Sequence, residues 1–120
     1  MKRWSLLEHK IYTKDEIAIH YDFLLENKFD CCTWKLLQIP KIDGLPAEIL
    51  PHQNHRLVWL TTKQKKLSNN RGNVYQIACG TYSLIENTIE DNHFSIKING
   101  ELFEGIFKKN NYIYQLCSAI

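Results

Sequence analysis

Apolar and polar residues alternate along much of the chain with a period of two, the pattern of strands that bury one face. The clearest case is residues 20–26. His20, Asp22, Leu24 and Glu26 fall on one face there, and Tyr21, Phe23 and Leu25 on the other. An earlier strand is expected over residues 3–8, and the mixed polar segment 11–19 reads as a loop. Asn27-Lys28 makes a turn, and a third strand over residues 32–38 carries Trp34, Leu36 and Leu37. Pro40, Gly44, Pro46 and Pro51 then mark a long irregular connection, with room for a short helix near residues 45–50. The run Arg-Leu-Val-Trp-Leu-Thr at 56–61 reads as a fourth strand. A polar loop follows over 63–72, with Ser68-Asn69-Asn70-Arg71-Gly72 at its tip. Strands are expected over 73–78 and 81–86, then a hairpin of 93–98 with 102–108 across Asn99-Gly100, and a last strand over 112–117. Many short strands and few helical patterns predict an all-β fold: a single small closed β-barrel of about eight strands with minor helix, or a closed sandwich.

Length agrees with that picture. The chain has 120 residues, so residues 1–120 read as one domain. Folding at this size removes roughly two thirds of the unfolded chain's surface from water, which supports a core without disulfides. With 44% hydrophobic and 23% charged residues, the composition excludes an intrinsically disordered chain.

Charge changes the picture little. The formal net charge of +2 is smaller than a strongly basic nucleic-acid binder carries. Basic residues do cluster locally: Lys63, Lys65, Lys66 and Arg71 in one segment, Lys108 and Lys109 in another. They form either a solvated loop or a phosphate-facing rim. Lys2 and Arg3 are not followed by an apolar run, because Glu8, His9 and Lys10 interrupt it, and no stretch approaches the roughly 18 apolar residues of a membrane span. A cytoplasmic protein that does not engage a membrane is the expectation. Cys31, Cys32, Cys79 and Cys117 contain no Cys-x-x-Cys pair, so a thiolate zinc knuckle is not expected. Buried free thiols are, with Cys31 and Cys32 on opposite faces of a strand.

One constellation has metal-ligand chemistry. His20 and Asp22 lie two apart on a strand and point to the same side. An imidazole beside a carboxylate suits Mn, Zn or Fe. Two ligands are too few, and a third could come from His9, His52, His55 or His93. The alternative for the pair is a hydrogen-bonded surface contact without metal. Trp34, Trp59 and Tyr21 read as core aromatics and His93 as an exposed strand residue.

The run His20-Tyr-Asp-Phe-Leu-Leu-Glu26, followed by Thr33-Trp-Lys-Leu36, resembles the signature of the 3′-phosphoesterase domain of bacterial end-joining DNA ligases. It is closer still to the small stand-alone proteins of that family, described as DNA polymerase–ligase N-terminal-like. Leu6-Leu7-Glu8-His9 resembles the family's first strand, and Asn54-His55-Arg56-Leu57 its Asp-His-Arg-Leu motif. Ser68-Asn-Asn-Arg71-Gly72-Asn-Val74 and Gly80-Thr81-Tyr82 resemble a Ser-Gly-Gly-Arg-Gly segment before Gly-Thr-Tyr. The likeness spans nearly the whole chain.

The resemblance implies an eight-stranded barrel that trims 3′ ends of DNA before ligation in non-homologous end joining. It removes 3′-phosphates and 3′-terminal ribonucleotides. Manganese is the implied cofactor, with Zn²⁺ or another divalent ion as the alternative. His9, His20 and Asp22 become the expected metal ligands, and His55 the group that contacts the phosphate as acid or transition-state stabiliser. The partners implied are DNA 3′ ends and a DNA ligase or polymerase acting in trans.

The sequence departs from that family at defined places. The ligase-linked domains carry an arginine two residues after the aspartate, and here the position is Leu24. A family tyrosine is Trp59, an acidic-Gly step is Lys63-Gln64-Lys65, and the interval between His9 and His20 is longer. Arg71 or Lys63 is expected to stand in for the missing cation, with Arg71 the catalytic candidate. The alternatives are a weak or inactive member that binds metal and nucleic-acid ends, and a structural interaction module.

Overall fold

The computed structural model describes residues 1–119. Nine strands form one antiparallel sheet: β1 (Lys2–Tyr12), β2 (Ile17–Glu26), β3 (Cys31–Leu36), β4 (Ala47–His55), β5 (Gln64–Lys66), β6 (Asn73–Glu86), β7 (His93–Gly100), β8 (Gly105–Asn110) and β9 (Ile113–Cys117). Their order is β1-β2-β3-β4-β9-β8-β7-β6-β5, and β1 also pairs with β6. That last pairing closes eight strands into a ring and leaves β5 appended to β6. The expected all-β ring of about eight strands is therefore present.

Alternation along the strands divides the apolar residues into two clusters. Trp4, Phe23, Trp34, Ile96, Phe107 and Leu116 belong to the larger one, which draws on every strand of the ring and fills its interior. The Phe107 ring lies 4.7 Å from that of Phe23 and 5.1 Å from that of Tyr114. Two polar tips are satisfied there: Trp4 Nε1 donates to Asn99 O at 3.0 Å, and Tyr82 Oη donates to Glu26 O at 2.6 Å. Leu7, Leu24, Cys31, Val74 and Leu60 form the smaller cluster on the opposite face of β1, β2, β3 and β6. Residues 57–67 cover it, with Leu57, Trp59 and Leu67 packed on top. Burial of each leucine there is worth about 1.5–3 kcal/mol, so the covering segment is held by apolar contact. Cys31 and Cys32 sit in different clusters, as adjacent strand residues should, and all four cysteines are free.

Several local expectations are corrected. Residues 56–61 are not a strand: Leu57–Leu60 is a 3₁₀ turn. Three residues per turn place Leu57 and Leu60 on one side, against the smaller cluster, and leave Val58 in solvent. Short apolar runs without alternation do not separate strand from turn. The 11–19 segment is not a loop but the two ends of β1 and β2 around a tight turn, closed by Thr13 N donating to Glu16 O at 2.9 Å. The connection after Pro40 contains no helix at 45–50. β4 begins at Ala47 and accepts Pro51, because its register with β9 ends at Glu48 and the hydrogen bond from Ile49 N to Tyr112 O at 2.9 Å precedes the proline. The two strands expected over 73–86 are one, β6, and β5 lies inside the expected polar loop.

Asn99-Gly100 is not a hairpin turn. Both residues lie in β7, opposite Thr81 and Gly80 of β6, and the connection to β8 follows at 101–104. A Cβ on Gly100 would come within 2.6 Å of the Trp4 ring. The glycine there makes room for an indole, not for a turn. Among the described residues no helix is long and apolar enough to cross a membrane.

Candidate metal centre

The pairing of β1 with β2 sets His9 directly opposite His20. Directly opposed residues hold their Cβ atoms about 4.5–5.5 Å apart on one face. Asp22, two residues along β2, joins them on that face. His9 Nδ1 lies 3.2 Å from His20 Nε2, and His20 Nε2 lies 3.2 Å from Asp22 Oδ1. Ligand atoms at about 2.1 Å from a shared ion stand about 3.0–3.4 Å apart in octahedral or tetrahedral arrangements. The His9–His20 and His20–Asp22 separations already have that spacing, and the three ligand atoms all lie within 4.8 Å of one another, a grouping able to hold a metal ion. The long interval between His9 and His20 does not separate them, because both strands run on to the 13–16 turn.

Backbone carbonyls settle two of the tautomers. His9 Nε2 is 2.7 Å from Arg71 O. A carbonyl only accepts, so Nε2 carries the proton and the Nδ1 lone pair faces His20. His55 Nδ1 lies 3.1 Å from Gln53 O by the same logic, which leaves His55 Nε2 facing Asp22 Oδ2 at 3.5 Å. His20 Nε2 meets two acceptors, His9 Nδ1 and Asp22 Oδ1, and one proton serves only one of them. Asp22 Oδ1 is buried without an aligned hydrogen bond. Its approach to His20 is thus electrostatic, not a hydrogen bond. Burial alone would raise the Asp22 carboxyl, but the imidazoles of His20 and His55 outweigh it and hold the group well below the usual carboxylate range. A buried, charged and unsatisfied oxygen beside two imidazole nitrogens is a donor set that fits a divalent cation.

A β-bulge brings in two more histidines. Cys31 pairs with His55 but Thr33 pairs with His52, so three residues of β4 span two of β3. Residues three apart on a regular strand point to opposite faces. The extra residue turns His52 and His55 to the same side, with ring centroids 5.2 Å apart. His20 and His52 are 6.5 Å apart, centroid to centroid.

His9, Asp22, His52 and His55 border a cavity of about 430 Å³. Leu7, Val74, Leu67 and Trp59 give it apolar walls, and His9, Asp22, His52, His55, Arg56 and Arg71 its polar ones. Its size lies within the roughly 300–1,000 Å³ of small-ligand sites. His9, His20, Asp22, His55 and Arg71 are thus neighbours in space. The Arg71 guanidinium turns back on its own loop: Nε donates to Ser68 O at 3.1 Å and Nη2 to Ser68 Oγ at 3.2 Å. Lys63 does not border the cavity, since its Nζ donates to Gln76 Oε1 at 2.9 Å. His93 lies elsewhere, on exposed β7 surface. Leu24 is fully buried in the smaller cluster below the cavity. Arg56 is the wall residue that the sequence reading assigned no role. Its adjacency to His55 is a local signal, masked where 56–61 is expected to be a strand. No protein-family model and no curated protein matches the chain.

Proposed function

We propose that this chain is a metal-dependent phosphoesterase that trims 3′-phosphates or 3′-terminal ribonucleotides from DNA during repair. The observation that carries the reading is the convergence of His9 Nδ1, His20 Nε2 and the unsatisfied Asp22 Oδ1 beside a cavity that His9, Asp22 and two arginines border. The likeness of its motifs to end-joining phosphoesterases narrows the substrate class.

Divided among the residues, the chemistry is hydrolysis. His9, His20 and Asp22 hold the ion, with manganese the expected one and Zn²⁺ or another divalent cation the alternative. When bound, such an ion polarises a phosphoryl oxygen and lowers the pKa of water. His55 donates Nδ1–H to Gln53, so its Nε2 is the nitrogen free to carry a proton to the departing 3′-oxygen. A water oxygen bonds to phosphorus, the bond from phosphorus to the 3′-oxygen breaks, and the protons leave on the 3′-hydroxyl and the phosphate. The apolar wall of Leu7, Val74 and Trp59 limits water around these charges, which strengthens each of them. A 3′-hydroxyl is what a DNA ligase or polymerase needs, so such an enzyme in trans is the natural consumer. Four free thiols suit a reducing, cytoplasmic setting.

The test is release of phosphate from a primer–template with a 3′-phosphate, with and without Mn²⁺, beside His20→Ala. Metal-dependent release that vanishes in the variant is expected. Retained Mn²⁺ binding without release would replace this reading with that of an inactive, end-binding relative, which the buried Leu24 at the family's arginine position favours.

A further inference from the structure

Phosphate transfer needs positive charge beside the metal, and β2 supplies none, because Leu24 is buried under the cavity floor. Two arginines border the cavity, Arg56 and Arg71. They are bound very differently.

Arg71 is committed. Nε and Nη2 of its guanidinium are held by Ser68, and its carbonyl receives the His9 Nε2 proton at 2.7 Å. The loop that carries it is tightly turned. Asn69 and Asn70 take the left-handed conformation, and Gly72 has a φ of +93°. A Cβ on Gly72 would lie 1.9 Å from Lys10 O. Arg71 therefore reaches the site through its main chain, as a support for a metal-ligating histidine.

Arg56 is free. Its side chain makes no hydrogen bond or ion pair among the described residues. Its main chain, by contrast, is anchored. It caps the 3₁₀ turn in extended conformation, its carbonyl accepts from Trp59 N at 3.1 Å, and Cys31 Sγ approaches the same oxygen at 3.9 Å. The stem thus leaves a fixed point in the wall, next in sequence to His55, and ends in a fork with every donor unused. A guanidinium fork matches two oxygens of a phosphate at once.

Resting on the phosphoesterase reading for its substrate class, we infer that Arg56 is the residue that binds the substrate's terminal phosphate, opposite the metal ligands, and that Arg71 serves as a positioning residue through its carbonyl. A terminal phosphate has three unesterified oxygens, enough to meet the metal side and the fork together. Arg56 supplies from the 3₁₀ turn the cation that β2 lacks.

Two readouts test it: titration of inorganic phosphate into the Mn²⁺-loaded protein, and Mn²⁺ affinity, each measured for wild type, Arg56→Ala, Arg56→Lys and Arg71→Ala. Loss of a charged donor to phosphate is expected to weaken phosphate binding about 100-fold in Arg56→Ala. Lysine should recover part of it, because it restores charge without the fork. Mn²⁺ affinity should stay at the wild-type value in both Arg56 variants. Arg56 is exposed and keeps its main-chain contacts on substitution, so folding is preserved. Equal losses in Arg56→Ala and Arg71→Ala, loss in Arg71→Ala alone, or no phosphate binding by wild type would each overturn the assignment. Phosphate binding that depends on Arg56 in a protein that hydrolyses nothing would uphold the assignment and reject the phosphoesterase reading.

Discussion

Asp22→Asn isolates the charge of the proposed centre while preserving its shape. The carboxylate sits 3.2 Å from His20 Nε2 and 3.5 Å from His55 Nε2, and its Oδ1 has no hydrogen bond. An amide of the same size fills the same space but brings no charge, and it can turn an N–H toward the cation. Loss of an outer hydrogen-bond partner of a metal ligand costs about 10–100-fold in affinity, so removal of an anionic ligand should cost at least about 100-fold. At a Mn²⁺ concentration of about 100 times the wild-type Kd, binding stabilises wild type by about 2.7 kcal/mol. With affinity down 100-fold, the same concentration stabilises the variant by only about 0.4 kcal/mol. An unfolding entropy of about 2.1 cal/mol/K per residue over 120 residues is about 0.25 kcal/mol/K. The melting temperature should then rise about 11 °C in wild type and about 2 °C in the variant. Thermal melts by circular dichroism in chelator-treated buffer, with EDTA reversal, measure both shifts. A full wild-type shift in Asp22→Asn, or no shift in wild type with Mn²⁺, Zn²⁺ or Fe²⁺, would refute a metal site anchored by this carboxylate.

Further outcomes follow from Gly72 and from Cys31. Gly72→Ala must move the loop away from Lys10 O, which breaks the support from Arg71 O to His9 Nε2; Mn²⁺ affinity by calorimetry should fall about 10–100-fold with the three ligands intact. An unchanged affinity would show that the carbonyl contact is incidental. Burial, reinforced by the charges of Asp30 and Glu26, pushes the Cys31 thiol from 9.0 up to about 12. The neutral thiol is then the favoured form in the fold, so its contribution to stability is complete below pH 9 and is lost as pH climbs from 9 toward 12. Iodoacetamide at pH 8 should label the half-buried Cys79 and Cys117 and spare Cys31 until urea is added, as counted by mass spectrometry; prompt labelling of Cys31 in the native protein contradicts its burial.

Much of the architecture is written in short-range pattern. The alternation of residues 20–26 is enough to place His20 and Asp22 on one face and Phe23 and Leu25 on the other, because a pleated strand reverses its side chains at every residue. The same rule separates Cys31 from Cys32. The all-β ring follows from many such segments in succession. Where a residue type serves two purposes, local reading goes astray. Gly100 yields to the Trp4 indole, which lies 96 positions earlier in the chain, and Leu57 and Leu60 satisfy a turn because the cluster beneath them accepts one side of it.

The centre itself divides along the same line. His20 and Asp22 are brought together by neighbouring positions on one strand, so the pair is visible in a three-residue window. His9 joins them through the register of β1 with β2, and the bulge opposite β3 turns His52 and His55 to one side. Arg71 O reaches His9 Nε2 across 62 positions, and Arg56 faces the cavity because apolar contact folds 57–67 back over the sheet. Side-chain alternation is a property of a few consecutive dihedral angles. Register, bulges and loop docking are chosen by contacts between distant segments, whose free energy exists only once the ring has closed.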